Sequence, residues 1–512
     1  MDRSSAGISG QYTRSNNSYN QPNGPAPSSR RGRYRHATIR PWDNHHRTAP
    51  GRNECYHSSG TRSSQHLQCR SVNPVQDFNA LIKQEIMDDL VSKSDHFGHR
   101  YDGRNHGQYA SLIKKYTSAS KRPLNRTEQS QLMRLLQKFT VTRSWNWRSL
   151  TTTLHSFTSA GVFTPHKPMN ERVQLTQAAL LSTLLDVIIF KCNQTPEASD
   201  IGAQEIANLL WAMAKLVDNG QELTPGLNEA VAVLLPHVNA QKDQFVPQGI
   251  ANLLWAMAKL VDNGLEPTPE FKEAVAALLH LVNAQKDQFN AQDIANLLWA
   301  MAKLVDNGYE QTPECNEAVA ALLTCVILQK ANFNPQAITN LLWAMAKLLD
   351  NGQEPTPEFK RALTALLPLV NAQKDQFIPQ HIANLLWATA KLGELVELNV
   401  ATSTFESLVY RISENLQFSQ EGISMSLWGV MVCCARLALD SNAIKNNVFE
   451  KHMDDLFTRM ENTSPGNKED QSIMIMAASW LGRACPVAPL TRQSFQNVNP
   501  TSAINSNHLF HL

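Results

Sequence analysis

A strict 44-residue period constrains this chain more than anything else in it. The segment IANLLWAMAKLVDNG occurs at 206–220, 250–264 and 294–308. It returns as ITNLLWAMAKLLDNG at 338–352 and opens a shorter fifth unit, IANLLWATAKLG, at 382–393. A unit of this length in tandem cannot bury its own apolar face, so the chain must fold by stacking neighbours on one another. Weaker copies flank the array, LTTTLHSFTSAG at 150–161 and ISMSLWGVMVCCARL at 423–437. Their divergence is that of capping units.

Each unit reads as two helices, A and B. In the second copy Ile250, Leu253, Leu254, Met257, Leu260 and Val261 form one apolar stripe at helical spacing. Asn263-Gly264 supplies a left-handed stop. Thr268 then serves as N-cap, with Pro269 in the first helical position and Glu270 set against the helix dipole. Phe271, Val275, Leu278, Leu279 and Val282 mark the buried side of helix B. A Phe five residues before each Ile (Phe245–Ile250, Phe289–Ile294, Phe333–Ile338, Phe377–Ile382) has the spacing of a hydrophobic staple into the next helix A. The expected fold is all-α, an α-solenoid of two-helix repeats with a disordered N-terminal arm.

Composition sets the expected boundaries. Residues 1–70 hold 11 Arg, no Lys and the three acids Asp2, Asp43 and Glu54, a charge of +8, with Met1, Ile8, Ile39 and Leu67 as their only aliphatic residues besides Ala. Such a segment cannot bury enough apolar surface to offset its ordering entropy. The chain as a whole carries +2, which leaves −6 for residues 71–512. We expect a basic arm at 1–72, a helical transition region at 73–144 and a degenerate repeat at 145–205. Near-identical repeats follow at 206–393, then divergent repeats at 394–486 and a polar tail at 487–512. The arm suits an organellar transit peptide, a nuclear or nucleic-acid contact through Arg30-Arg31-Gly32-Arg33-Tyr34-Arg35, export by a route outside the general secretory one, or a solvated tail with no dedicated role. It has no apolar core of a secretory signal, and no run in the chain reaches the roughly 18 apolar residues that span a bilayer. The eight cysteines, at 55, 69, 192, 315, 325, 433, 434 and 485, are irregularly spaced and read as reduced thiols of an intracellular compartment. Cys55, His57, His66 and Cys69 lack the usual zinc-finger spacing and read as loop rather than metal site.

On a wheel of about 100° per residue, Asn252 and Lys259 lie almost opposite the aliphatic stripe, with Trp255 at a flank. Stacking would turn these positions into ladders. One holds Asn208, Asn252, Asn296, Asn340 and Asn384; a second holds Lys215, Lys259, Lys303, Lys347 and Lys391. A third holds Trp211, Trp255, Trp299, Trp343 and Trp387. For Trp the readings are burial between stacked repeats or stacking on a ligand. For Asn they are an inter-repeat hydrogen bond or ligand contact, and for Lys a solvated position or ligand contact.

The string NLLWAMAKL in a helix-pair unit resembles the octotricopeptide repeats of algal organelle proteins, and is also similar to repeat proteins of intracellular bacterial pathogens. The resemblance covers 206–393 strongly and about 145–490 weakly. It implies single-stranded RNA along a groove, with lysines on phosphates and Asn on base edges. Two features pull the other way. Residues 206–381 hold 11 basic and 18 acidic groups, a charge of −7, although many of the acids (Asp262, Glu266, Glu270, Glu273) fall at the turn and at the start of helix B. Near-identical units also read near-identical bases, which suits only a homopolymeric tract. A protein-interaction scaffold, such as a translocated effector acting in a host cell, therefore stands as the alternative. Variation at 221, 265, 309 and 353 puts a protein partner at the turn edge. No catalytic constellation or phosphate-cradling loop is visible, so we expect no enzyme and no cofactor; the oligomeric state is left open.

Overall fold

Turn chemistry decides where each helix ends. Gly220, Gly264, Gly308 and Gly352 adopt φ of +92°, +99°, +86° and +93°, a region that favours glycine. In the second copy the Gly264 amide donates to the Val261 carbonyl at 2.9 Å and the Leu265 amide to the Leu260 carbonyl at 3.0 Å. This paired pattern closes a helix C-terminus. Thr224, Thr268, Thr312 and Thr356 then accept from the backbone amides of Leu227, Phe271, Cys315 and Phe359, each followed by Pro in the first turn.

The computed structural model describes residues 90–481, apart from 91, 94–95, 121, 123, 143, 166–170, 195–199, 413–416, 440–445 and 464–467. The arm, the Cys55–Cys69 cluster and the polar tail lie outside the described residues. Everything below concerns the unit that contains Pro74–Leu512. Its helices are α1 (Gly103–Ser120), α2 (Arg126–Thr140), α3 (Trp147–Ser159), α4 (Glu171–Asn193), α5 (Ala203–Asp218) and α6 (Pro225–Ala240). The array continues with α7 (Pro247–Asp262), α8 (Pro269–Gln285), α9 (Ala291–Asp306), α10 (Pro313–Leu328), α11 (Pro335–Asp350), α12 (Pro357–Ala372) and α13 (Pro379–Leu392). It closes with α14 (Leu398–Ile412), α15 (Gln420–Leu439), α16 (Asn446–Thr463) and α17 (Lys468–Leu481).

Odd-numbered helices from α1 to α15 stack on one another as the A layer, and even-numbered helices stack as the B layer. The result is an all-α solenoid with no strand among the described residues. The period continues past the recognisable repeats: α1 and α2 form a further pair, packed on α3 and α4. The aliphatic stripes behave as read from sequence. Ile250, Leu253, Leu254, Met257 and Leu260 are fully buried, as are Phe271, Val275 and Leu278 on the facing helix B.

A helices lie closer to one another than B helices do, and small residues permit it. The residue after each Trp is Ala212, Ala256, Ala300, Ala344 or Ala388, all fully buried. In α15 the same place is Gly429, where a Cβ would fall 2.9 Å from the Leu386 carbonyl carbon and oxygen of α13. Each unit is then closed on itself. Phe245, Phe289, Phe333 and Phe377 are buried at the foot of helix A. The carbonyls of the first three accept from Gln285, Gln329 and Gln373, at the end of helix B, at 3.2, 2.8 and 3.1 Å.

One described helix, α4, is long and apolar enough to cross a membrane by length and composition alone. It occupies the B layer between α2 and α6, with Leu180, Leu184, Leu185 and Ile188 buried and Leu175 and Phe190 exposed.

Candidate binding face on the helix A layer

The stripe of each helix A opposite its aliphatic face follows a spacing of four and three residues. In α7 it runs Gln248, Asn252, Trp255, Lys259 and Asp262 from N- to C-terminus. These side chains form five rows along the stack of α5–α13, and the rows differ in what they touch.

Three of the four neighbouring pairs in the tryptophan row are in ring contact inside the stack. Trp211 and Trp255 lie 6.3 Å apart, Trp299 and Trp343 6.2 Å, and Trp343 and Trp387 6.4 Å. The ladder outlasts the identical repeats. Trp428 of α15 continues it at 6.4 Å from Trp387, and His155 of α3 takes the Trp place at 4.8 Å from Trp211. Trp255, Trp299 and Trp387 are buried, while Trp211 and Trp343 are half-buried. A row that continues wherever units stack belongs to the stacking itself.

The lysines are neither solvated nor left open along a groove. Lys259, Lys303, Lys347 and Lys391 each donate to the last Asp of the preceding helix A (Asp218, Asp262, Asp306 and Asp350) at 2.8, 2.9, 3.0 and 2.6 Å. Lys215 joins Asp218 from within its own helix at 2.7 Å. The ammoniums of Lys259, Lys303, Lys347 and Lys391 also rest over the Trp of the following unit, as Lys259 does over Trp299 at 4.9 Å and Lys303 over Trp343 at 5.2 Å. These four lysines therefore each tie three consecutive units together. This corrects the sequence reading that set the turn carboxylates apart from the lysines. Asp262 lies three residues after Lys259, on the same helical face, so stacking brings it beside Lys303. Burial pushes the Asp218 carboxyl up, but Lys259 and Lys215 outweigh it and hold the group below its ordinary value.

The five asparagines stand differently. Asn208, Asn252, Asn296, Asn340 and Asn384 are all half-buried. None makes a side-chain hydrogen bond within the described structure, so the expected alternative of an inter-repeat bond is not realised. None of their polar atoms is sealed from solvent either. Their carboxamides face outward with donors and acceptors unspent.

The sequence reading missed a companion row. Gln204, Gln248, Gln292, Gln336 and Gln380 sit one turn before each Asn, exposed or half-exposed, again with no side-chain hydrogen bond. Their signal was available, since Gln recurs at this place in all five units while its neighbours change. In the flanking helices the paired places hold Arg148 with Thr152, and Glu421 with Met425. Both amide rows thus end where the near-identical units end.

Two of the turn-edge positions are built into the fold: Gln221 donates its side-chain amide to the Phe163 carbonyl, and Tyr309 is buried. Among the described residues no group of three or more His, Cys, Asp or Glu is placed to hold a metal.

A family model described as "Protein of unknown function (DUF1601)" matches residues 220–254, 273–298, 330–342 and 362–386. No curated protein matches the chain. Among solved structures, the chain is similar to a circular tandem repeat protein with novel repeat topology and enhanced subunit contact surfaces. That likeness has 10% identity and a TM-score of 0.27, over 78% of this chain and 98% of the other. It is also similar to a homology model of the full-length AP-3 complex in an intermediate open conformation, at 11% identity and a TM-score of 0.25, over 80% and 77% of the two chains.

Proposed function

We propose that this solenoid is a non-enzymatic scaffold that holds an extended polypeptide segment of a partner protein along its helix A face. One observation carries the reading. The cations of that face are spent on Asp218, Asp262, Asp306 and Asp350, while the neutral Asn carboxamides remain open. Phosphate binding draws its affinity from lysines and arginines that release counterions. Lysines already paired in an array of net charge −7 offer little of that. Carboxamides carry no charge and match the donors and acceptors of a peptide backbone.

RNA is the second reading. It is favoured by the NLLWAMAKL core and by the kinship with octotricopeptide-like proteins that this core suggests. A role inside a host cell and a reducing compartment are compatible with either ligand; Cys192, Cys315, Cys325 and Cys433 are buried thiols in no disulfide.

The test is parallel selection by the full chain from a random 15-residue peptide library and a random single-stranded RNA pool. Enriched peptides support the scaffold. Enriched RNA with no peptide overturns it in favour of the second reading, and enrichment of neither overturns both.

A further inference from the structure

We infer that Gln204, Gln248, Gln292, Gln336 and Gln380 join Asn208, Asn252, Asn296, Asn340 and Asn384 in a two-row carboxamide track that grips the main chain of an extended, positively charged polypeptide, about three residues to each repeat. The inference rests on the polypeptide reading above and names the chemistry of the partner.

Gln and Asn at i and i+4 lie on one helical face, with Cβ atoms about 6 Å apart. Each helix A therefore offers two carboxamides, and each carboxamide has an acceptor oxygen and two N–H donors. An extended main chain presents the complementary set, one N–H and one C=O per residue. Stacked helices are spaced about 8–10 Å apart and an extended chain in the polyproline II form advances about 3.1 Å per residue with three residues to a turn, so every third residue turns its main-chain groups the same way and meets one carboxamide pair. Five helices span a segment of about 15 residues at that spacing.

The rows are not needed to hold the stack. All ten side chains lack partners within the described structure, whereas the Trp ladder runs on through His155 and Trp428 without them. Sealing such amides under a partner without hydrogen bonds is costly, so the occupant must supply hydrogen-bonding groups along its length. An apolar helix laid in a groove does not.

Charge selects among extended polypeptides. The track is neutral, because the lysines beyond it are cancelled by aspartates. The array around it carries −7 over residues 206–381, with Glu222, Glu266, Glu310 and Glu354 exposed at the turn that ends each helix A. A field of that sign accelerates the approach of a basic segment and slows that of an acidic one.

The experiment uses the full chain and the 15-residue peptides recovered by the selection above. Each peptide is resynthesised with N-methyl groups on every third residue, in three registers, which removes main-chain N–H groups and leaves side chains unchanged. One register is expected to lose binding at least tenfold and the other two to lose less. Replacing the five glutamines (Q204A, Q248A, Q292A, Q336A and Q380A) is expected to weaken every peptide at least tenfold with the helical circular dichroism unchanged. Changing the Lys and Arg of the peptide to Glu should weaken it further, most at low salt.

Peptides that bind equally well in all three N-methylated registers overturn the track while leaving the scaffold reading intact. So does full affinity in the glutamine variant, or a recovered set that is predominantly acidic. No recovered peptide overturns both readings. The N-methyl series uses the unaltered protein, so a folding defect in the variant cannot obscure the result.

Discussion

The two ends of the A layer solve the same burial problem with opposite chemistry. In α7–α13 each inward lysine finds a carboxylate on the preceding helix and stays an ion pair. In α1 and α3 the ammonium of Lys114 instead faces Nδ1 of His155, the residue at the Trp place of the next helix A, at 3.4 Å. Burial, with the Lys114 charge adding to it, holds the His155 imidazole down to about 3. Burial also lowers the Lys114 ammonium. Nearby His106 packs on Phe139 at 3.9 Å and Trp145 at 5.7 Å, and burial holds it down to about 4, only partly opposed by Asp102. Yet α1 stacks on α3 as intimately as α9 stacks on α11. The apolar stripe and the small residues therefore set the stacking, and the polar row is a separable layer whose chemistry sets how a region answers to pH.

The largest expected effect follows from that difference. A histidine whose folded pKa is depressed favours the unfolded state wherever the unfolded imidazole is protonated and the folded one is not. Its stability is complete above the ordinary value of about 6.5. It declines as pH falls toward about 4 for His106 and about 3 for His155. At pH 5 each group removes about 2 kcal/mol, hence about 4 kcal/mol for the two. His237 and His381, which burial also lowers, lie in α6 and α13, outside α7–α11. Amide hydrogen exchange from pH 7.5 to pH 5, corrected for intrinsic rates, should show Gly103–Ser159 losing protection well before Pro247–Asp350. Equal loss in both regions would break the comparison.

The second effect removes a carboxylate where two cations depend on it. Asp218 serves Lys215 and Lys259, and the Asp218 and Lys259 side chains are only 4% and 5% exposed. Asp218→Asn keeps the volume but leaves the buried Lys259 and the half-buried Lys215 ammonium without a counter-charge, at a cost of about 3 kcal/mol. Chemical denaturation measures it, and a loss under 1 kcal/mol would mean that water relieves the pair. A third test sharpens the separation of the layers. Gly429→Ala restores the Ala of the repeats at a place where α15 lies too close to α13 to admit a Cβ. An expected loss of about 2 kcal/mol, read by the same denaturation, would show that helix approach is set locally rather than by the period.

Periodicity made the fold legible. The stripe, the Asn-Gly stop, the Thr-Pro start and the Phe staple are local devices, and a wheel places them without knowledge of neighbours. The pair α1–α2 escaped because its apolar residues, among them Tyr109, Ile113, Leu132 and Phe139, carry the helical spacing but none of the repeat's letters. The candidate face was legible only in part. The Asn and Trp rows stand out because they lie inside the most conspicuous string, whereas the Gln row sits one turn earlier, among residues that vary. Lysine was misplaced for a physical reason: a wheel shows one helix, and the partner of Lys303 is Asp262, 41 residues away on another. Only the stacking offset brings those two groups together.

The smallest effect tests the same argument inside the ladder. Asp306 pairs with Lys347 as Asp218 does with Lys259, at 3.0 Å rather than 2.8 Å, but these side chains are 26% and 23% exposed. Water screens such a pair and solvates whichever partner is left, so Asp306→Asn should cost about 0.5 kcal/mol. The two substitutions are chemically identical and occupy equivalent places in near-identical units, so sequence alone assigns them equal weight. If burial governs the rungs, denaturation separates the two variants several-fold, and added salt narrows the cost of Asp306→Asn while leaving that of Asp218→Asn. If they cost the same, the ladder acts as one cooperative unit, and its strength belongs to the row rather than to any rung.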